Sequence, residues 1–208
     1  MRPGSLPLRP EKVVQHQRQR IIDAAAKTFS KRGYRKVSVA DIVKAAAVAR
    51  GRFYEHFASK EDCFFALYDE ATAAALGAVE EACSESGLEF PERVREGISA
   101  LLAFIEEDRD RARACILEGP AVGPPINARF EGVIREFAAL LRAGREDDAS
   151  SELPQTVEET VVGGLYWLLY YALLEERPKR VGRLRPQLVE FSLIPFIGAE
   201  AAGAMAAG

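Results

Sequence analysis

The chain of 208 residues carries 28 Lys and Arg against 31 Asp and Glu, a net charge of −3, and 48% of its residues are apolar. This length and composition predict a folded protein with a sizeable core, in one or two domains. No apolar run is long enough to span a bilayer and the N-terminus lacks an apolar signal core, so we expect a cytoplasmic protein. The three cysteines, Cys63, Cys83 and Cys115, have neither disulfide-framework nor metal-finger spacing and are expected to be small buried side chains.

The charge is divided unevenly along the chain. Residues 1–60 hold 14 Lys and Arg but 4 Asp and Glu, a balance of +10, whereas residues 61–208 hold 14 and 27, a balance of −13. This asymmetry predicts an anion-binding head on an acidic body, the alternative being a basic face that is only solvated. Residues 1–10 are predicted to be a disordered basic arm, in which Arg2 and Arg9 either lie along a phosphate strand or are merely solvated.

Two helices are predicted before a sharp turn. The first covers about 12–31, with an apolar stripe along one side, and Gly33 stops it as a C-terminal cap. The second covers about 39–46 and follows Ser38, which is predicted to form a capping box with Asp41.

A short third helix is predicted after the turn at residues 47–49. It covers about 50–57, and Phe53 and Phe57 share its inward face. The side chains on its other faces are those of Arg50, Arg52, Tyr54 and His56. The major groove of DNA admits such a helix, and arginine bonds guanine bidentately there. We therefore predict a helix-turn-helix DNA-binding unit, with the two arginines as candidates for base readout.

This region resembles the TetR family of bacterial repressors. The matching pattern is R-x-x-I-I-x-A-A-x-x-x-F-x-x-x-G-Y-x-x-V-S-V-x-D-I from Arg18 to Ile42, followed by F-Y-x-H-F-x-S-K-E from Phe53 to Glu61. The resemblance covers the N-terminal quarter closely and the remainder in its helical plan. Two positions depart from the family: Ala47 stands where Gly is usual, and Ala49 where Ser or Thr begins the reading helix.

The predicted DNA-binding residues are Ser38, Arg50, Arg52, Tyr54, His56, Lys60 and Arg18. Ser38 precedes a helix, where backbone N–H groups and the helix dipole favour a phosphate. The resemblance implies that Lys60 binds phosphate and that Tyr54 and His56 contact the DNA backbone. The alternatives are an interhelix hydrogen bond for His56 and partial packing for Tyr54.

The rest of the chain is also predicted to be helical. A long helix at about 59–84 joins the head to the body, and the following helices are expected at about 91–107, 109–118, 126–142, 154–176 and from 185 onward. Pro195 is expected to kink or end the last helix, and the tail to fray. With no strand pattern, the predicted fold is all-α with about nine helices. We expect a three-helix DNA-binding domain at 11–58 and a helical ligand-binding and dimerisation domain at 59–208.

The eighth helix is apolar on most of its circumference, which is more apolar surface than one helical body is expected to cover. We predict that it and the ninth helix pair with those of a second subunit in a four-helix interface, the alternative being burial within one chain. The predicted interface residues are Val161, Gly164, Leu165, Leu168, Leu188 and Phe191.

The other body helices are predicted to enclose an apolar ligand pocket. Its candidate lining residues are Phe104, Ile116, Phe130, Phe137, Trp167, Tyr170 and Tyr171, any of which is alternatively ordinary core. The function expected is a homodimeric repressor released from operator DNA by a small hydrophobic or aromatic ligand. The alternatives are a DNA-binding protein without a ligand and an activator.

An enzyme is not expected, since the chain shows no catalytic constellation. Its two histidines, His16 and His56, both lie in the basic head, and no phosphate loop, nucleophile elbow or metal spacing occurs. We therefore predict no catalytic residue, metal or cofactor.

Overall fold

The computed structural model describes residues 10–142, 153–154, 156–175 and 181–208, with side chains from residue 13 onward. Ten α-helices and no strand occur within these residues, which confirms the all-α class. The helices, named α1 to α10 in chain order, are Pro10–Arg32, Val39–Ala46, Arg50–His56, Lys60–Cys83, Phe90–Glu107, Arg109–Val122, Pro125–Leu141, Val157–Leu174, Arg185–Ile197 and Ala199–Ala207. The predicted arm at residues 1–10 lies almost wholly outside the described residues.

The first hydrophobic core joins α1, α2 and α3 to the start of α4 and to α6. Its centre is an aromatic group in which the rings of Phe29, Tyr34 and Phe64 lie 5.3 to 5.6 Å apart. Ala114 of α6 and Ile126 of α7 belong to the same buried cluster. The head, residues 10–58, is therefore packed continuously against the body, residues 59–208, instead of being linked to it by a flexible tether.

The second core lies between α5, α8, α9 and α10. On its edge, α4 and α5 approach closely at Gly97, where an added Cβ would lie 2.9 Å from the Cys83 sulfur and 3.2 Å from a methyl of Val79. A larger residue at position 97 would force the two helices apart.

Two helices continue through a proline, and α6 is thereby longer than the predicted 109–118. The sixth helix continues to Val122 through Pro120, which has no N–H for the carbonyl of Ile116 one turn earlier. The Tyr166 hydroxyl of α8 donates to that carbonyl at 2.9 Å, so the helix keeps its last turn. Likewise α9 passes through Pro195 to its end at Ile197.

The C-terminal tail was expected to fray and instead forms α10. Ala202 and Ala206 lie one turn apart on its buried face, against the second core. Small side chains allow this helix to pack closely on α9, although they give the sequence no amphipathic signal. Along the described part of the chain, no helix combines the length and apolar character needed to cross a membrane.

Candidate nucleic-acid interface

The second helix is capped at both ends, which fixes the turn before α3. The Ser38 hydroxyl accepts the N–H of Asp41 at 3.3 Å, and the Ser38 N–H donates to the Asp41 carboxylate at 2.9 Å, as the predicted capping box requires. At the other end, the Arg20 guanidinium donates to the carbonyl of Ala46 at 2.7 Å. Sequence reasoning missed this role of Arg20, because a basic residue on α1 gives no sign of which carbonyl it reaches.

The capping box holds Asp41 in its ionised form. Hydrogen bonds from Ser38 and the guanidinium of Arg32, 2.5 Å away, keep the pKa of the Asp41 carboxyl far below its usual range. A carboxyl whose pKa is lower in the folded chain stabilises the fold above its unfolded pKa of about 3.9, and this contribution is lost as the pH falls further. We therefore expect Asp41→Asn to melt below the wild type at pH 7.

That gap in melting temperature should narrow as the pH falls below about 4, because the Asp41 carboxyl of the unfolded chain then takes up a proton, which stabilises the unfolded state of the wild type. Thermal unfolding followed by circular dichroism across pH 3–7 measures it. A gap that stays constant over this range would show that the Asp41 charge does not stabilise the head.

The turn residue Ala47 has left-handed backbone, with φ of 51° and ψ of 47°. It is the only residue other than glycine with positive φ in the described chain. This conformation costs an L-residue about 1–2 kcal/mol, which glycine avoids at the expense of a more flexible unfolded chain. Ala47→Gly should stabilise the protein by about 0.5–1 kcal/mol, raising its melting temperature by about 1–4 °C. The control Ala46→Gly, inside helical α2, should destabilise it by about 1 kcal/mol.

The third helix buries one side and exposes the predicted reading side. Phe53 is completely buried, whereas Arg50, Arg52 and Tyr54 are exposed. The Arg50 guanidinium lies 5.7 Å from the centre of the Tyr54 ring. Arg52 pairs with Glu55 at 2.7 Å, and both side chains are more than half exposed, so releasing Arg52 to a base edge costs little.

Lys60 is held against the turn that follows α1. Its ammonium donates to the carbonyls of Tyr34 and Val37, each at 2.9 Å, and lies 4.1 Å from the centre of the Tyr34 ring. Partial burial lowers the pKa of Lys60. An ammonium has three N–H groups, so one is left for the predicted phosphate contact.

The Arg18 guanidinium is paired with another residue of the protein, and one ring nitrogen of His56 is buried. The Arg18 guanidinium pairs with Glu70 of α4 and lies 5.4 Å from the centre of the Phe57 ring. A phosphate contact from Arg18 would have to compete with Glu70. The Nε2 atom of His56 is buried and has no hydrogen-bond partner among the described residues, so this atom does not face outward toward DNA.

The body contains a cavity of about 210 Å³ lined by α4, α5, α6, α7, α8 and α9. Phe104, Ile116 and Phe137 line it, as predicted. The other four candidates do not. Phe130 packs against the Tyr166 ring at 4.7 Å, and Tyr170 stacks on Trp167 at 5.7 Å. Trp167 and Tyr171 are 55% and 47% exposed, because their side of α8 faces away from the cavity.

Large apolar side chains are exposed together on α8 and α9. This α8–α9 patch consists of Trp167, Tyr171, Leu174, Phe191 and Ile194, which are 40% to 55% exposed. Gly164 brings the two rows together, since a Cβ there would lie 2.6 Å from the ring of Phe191. A contiguous apolar surface of this kind is typical of a protein interface.

The predicted interface residues overlap this patch only in part. Val161 and Leu188 are 3% and 1% exposed in the single chain, so they pack in its own core and offer little surface to a partner. Leu165 lines the cavity, and Leu168 packs against the second core. Of the predicted set, Phe191 and the glycine beneath it belong to the exposed surface.

Within the described ranges, neither a cluster of metal ligands nor a reactive Cys63 or Cys115 thiol marks another site. No group of three or more His, Cys, Asp and Glu with metal-binding proximity occurs there. Burial raises the pKa of the Cys63 and Cys115 thiols to about 12, so neither is a reactive thiolate. The capped turn, the exposed arginine-bearing helix and the supporting core form a helix-turn-helix unit of the kind that enters the major groove of DNA.

Comparison with known proteins shows which family of regulators this chain is similar to. The sequence model of "Bacterial regulatory proteins, tetR family" matches residues 21–67, which cover most of the head and the start of α4. The chain is 29% identical over 155 residues to the HTH-type transcriptional regulator YdgC of Bacillus subtilis, covering 70% of this chain and 75% of that protein. The chain is therefore similar to the TetR family of bacterial transcriptional regulators, most specifically over residues 21–67.

Solved structures share the whole helical plan. The fatty acid degradation regulator FadR from Bacillus halodurans superimposes with a TM-score of 0.75 at 22% identity, covering 84% of this chain and 97% of that one. FadR from Bacillus subtilis, solved in complex with stearoyl-CoA, gives a TM-score of 0.72 at 21% identity, covering 86% and 98%. At such identities these structures support the fold alone.

Proposed function

We propose that this protein is a homodimeric repressor that binds operator DNA through α3 and is released from it when a small ligand enters the body cavity. The observation that carries this proposal is the combination, in one rigidly packed chain, of an exposed reading helix and an apolar cavity. Ligand response is typical of the family, and the related FadR of Bacillus subtilis was solved with stearoyl-CoA bound.

The dimer is proposed to form through the α8–α9 patch. A dimer presents two copies of α3, which must reach successive major grooves about 34–36 Å apart or at a related spacing. A ligand that favours a body conformation with a different spacing weakens operator binding by its differential affinity for the two states, typically about 1–3 kcal/mol.

Two helices connect the cavity to the head. The fourth helix lines the cavity with Ala75 and Val79 and carries Lys60 at its head end. The sixth helix lines the cavity with Ile116 and is joined to the head by three polar contacts. These are Ser30 with Asp110 at 2.8 Å, Asp23 with Arg111 at 2.7 Å, and the Tyr34 N–H with Glu118 at 2.8 Å. The ligand signal is proposed to pass along α4, and these contacts support α6 as a second route.

Operator binding tests the DNA-reading part of the proposal. We expect Arg52→Ala to weaken binding to the DNA beside the protein's own gene by about 1–3 kcal/mol, because a base contact is lost, while binding to random DNA changes much less. Fluorescence anisotropy at several salt concentrations measures both. If each subunit neutralises about four phosphates, log affinity should fall with log salt at a slope near −7.

The matched control is Arg135→Ala, which removes an exposed arginine of α7 on the body. It should leave both affinities unchanged. An equal loss of specific and random binding in Arg52→Ala would mean that Arg52 contacts phosphate and does not read a base.

A further inference from the structure

Most polar groups that line the body cavity already have partners. The Thr72 hydroxyl donates to the carbonyl of Tyr68 at 2.8 Å, and the Tyr166 hydroxyl donates to Ile116 as described above. The Cys83 thiol donates to the backbone carbonyl of Arg93 at 3.4 Å. The Thr72 bond lies within α4, and the other two join neighbouring helices, so these three groups have no need of a ligand.

Ser192 of α9 is different. It lines the cavity, its side chain is completely buried, and its hydroxyl oxygen has no hydrogen-bond partner among the described residues. Buried hydroxyls are almost always paired, because leaving one unpaired forfeits its hydrogen bonds with water. An unpaired hydroxyl on a cavity wall marks a position where a polar atom of a ligand would be favourable.

Arg93 of α5 is the one charged residue that lines the cavity in the described chain. It is half-buried, and its guanidinium makes no hydrogen bond or ion pair with another described side chain. Its backbone carbonyl accepts the Cys83 thiol at 3.4 Å, so Arg93 lies beside α4 on the cavity wall.

The helices α5 and α9 run antiparallel, because the N–H of Gly182, just before α9, donates to Glu106 near the C-terminal end of α5 at 3.0 Å, while the rings of Phe196 and Phe90 are in contact at 5.3 Å at the opposite end. Steps of one turn away from the Phe90–Phe196 contact therefore lead to the same level of the cavity wall on both helices. Arg93 lies one turn after Phe90 in α5, and Ser192 lies one turn before Phe196 in α9. The rest of the wall is almost entirely apolar, so the cavity is polar beside Arg93 and Ser192 and apolar elsewhere.

We propose that the effector is an organic anion, with its apolar body in the cavity and a carboxylate or similar anionic group bound by Arg93 and Ser192. This inference rests on the proposed function, since it takes the cavity to be the effector site. Arginine presents two parallel N–H donors that match a carboxylate, and the serine hydroxyl donates a further bond. The volume of about 210 Å³ exceeds the roughly 150 Å³ of a cavity that holds benzene, which suits a single ring or a chain of medium length.

The test is calorimetric titration of the full-length protein with hexanoate, octanoate and decanoate and with the corresponding alcohols. The acid and the alcohol of each pair share the apolar chain and differ in charge. We expect each acid to bind about tenfold to hundredfold more tightly than its alcohol, because it forms charge-assisted hydrogen bonds. Affinity in both series should rise about fourfold per added methylene until the cavity is full.

Two variants locate the anion. Arg93→Gln should reduce the preference for acid over alcohol to less than about threefold while leaving alcohol affinity unchanged; the control Arg135→Gln should keep the wild-type preference. Ser192→Ala should weaken acid binding by about twofold to tenfold, the range for one neutral hydrogen bond. The ligand-free Ser192→Ala protein should melt no lower than the wild type, because the variant removes an unpaired polar group. A structural role of this hydroxyl would lower the melting temperature.

Failure of this inference is distinguishable from failure of the proposed function. Equal binding of acids and alcohols by the wild type overturns the anion proposal and leaves an effector cavity in place. A preference for acids that survives Arg93→Gln also overturns it. Absence of saturable binding in both series overturns the inference and, with it, the cavity as a site for apolar ligands of this size.

Discussion

Replacing Trp167 and Tyr171 together by glutamate is expected to convert the proposed dimer into monomers and to weaken operator binding by at least about a hundredfold. Both side chains are about half exposed in the single chain, so they contribute to an interface far more than to the fold. Two carboxylates on each copy would face two on its partner in a desolvated contact, where unpaired charge is costly. A monomer loses the gain of about 10²–10⁴ in affinity that two linked reading helices supply.

Sedimentation velocity measures the mass, and anisotropy with operator DNA measures the affinity. The matched control is Ala103→Glu with Ala139→Glu, which adds the same charge at exposed alanines of α5 and α7. This control should remain a dimer. A Trp167→Glu, Tyr171→Glu protein that still sediments as a dimer would place the interface elsewhere, and a monomer with full operator affinity would show that one α3 is sufficient.

Phe64→Ala is expected to destabilise the protein by about 3–5 kcal/mol, the usual cost of deleting a buried phenyl group. The Phe64 side chain is completely buried, and its ring contacts those of Phe29, Tyr34 and Tyr68 at 5.3 to 6.4 Å. It lies where α1, the turn that follows it and α4 meet, so the cavity left behind would loosen the support of the head. Operator binding should fall along with stability.

The neighbouring Phe65→Ala provides the control. Phe65 is only half-buried, with the Arg129 guanidinium 4.1 Å from the centre of its ring, so its loss should cost less than half as much. Urea unfolding followed by circular dichroism measures both variants. Equal losses for the two positions would contradict the central place of Phe64 in the first core.

The sequence predicted the geometry of the helix-turn-helix unit closely because that unit is specified by local chemistry. The capping box at Ser38, the position of α2 and the inward faces of Phe53 and Phe57 follow from spacings of three and four residues. The departure at Ala47 was equally visible, and the structure gives it the left-handed backbone that glycine would accept more easily.

The same reasoning placed side chains of α8 less well. An apolar stripe points to a face only when the rest of the helix is polar, and α8 is apolar nearly all round. Leu165 therefore faces the cavity, Val161 the core and Trp167 the solvent, although all three look alike in the sequence. The helix of the C-terminal tail was not predicted for a similar reason, since its alanines give little periodic pattern of apolar and polar residues.

The sequence by itself determined the helical class, the turn, the reading helix and the separation of basic head from acidic body, because these depend on neighbours within one or two helical turns. Only the tertiary structure decided which apolar residues form core, cavity wall or exposed patch. It also decided that α6 is bonded to the head and that Arg93 and Ser192 line one cavity, with no hydrogen-bond partner for the Ser192 hydroxyl among the described residues. Those facts depend on how distant helices pack, and packing depends on shape and volume that a pattern of apolar and polar residues does not record.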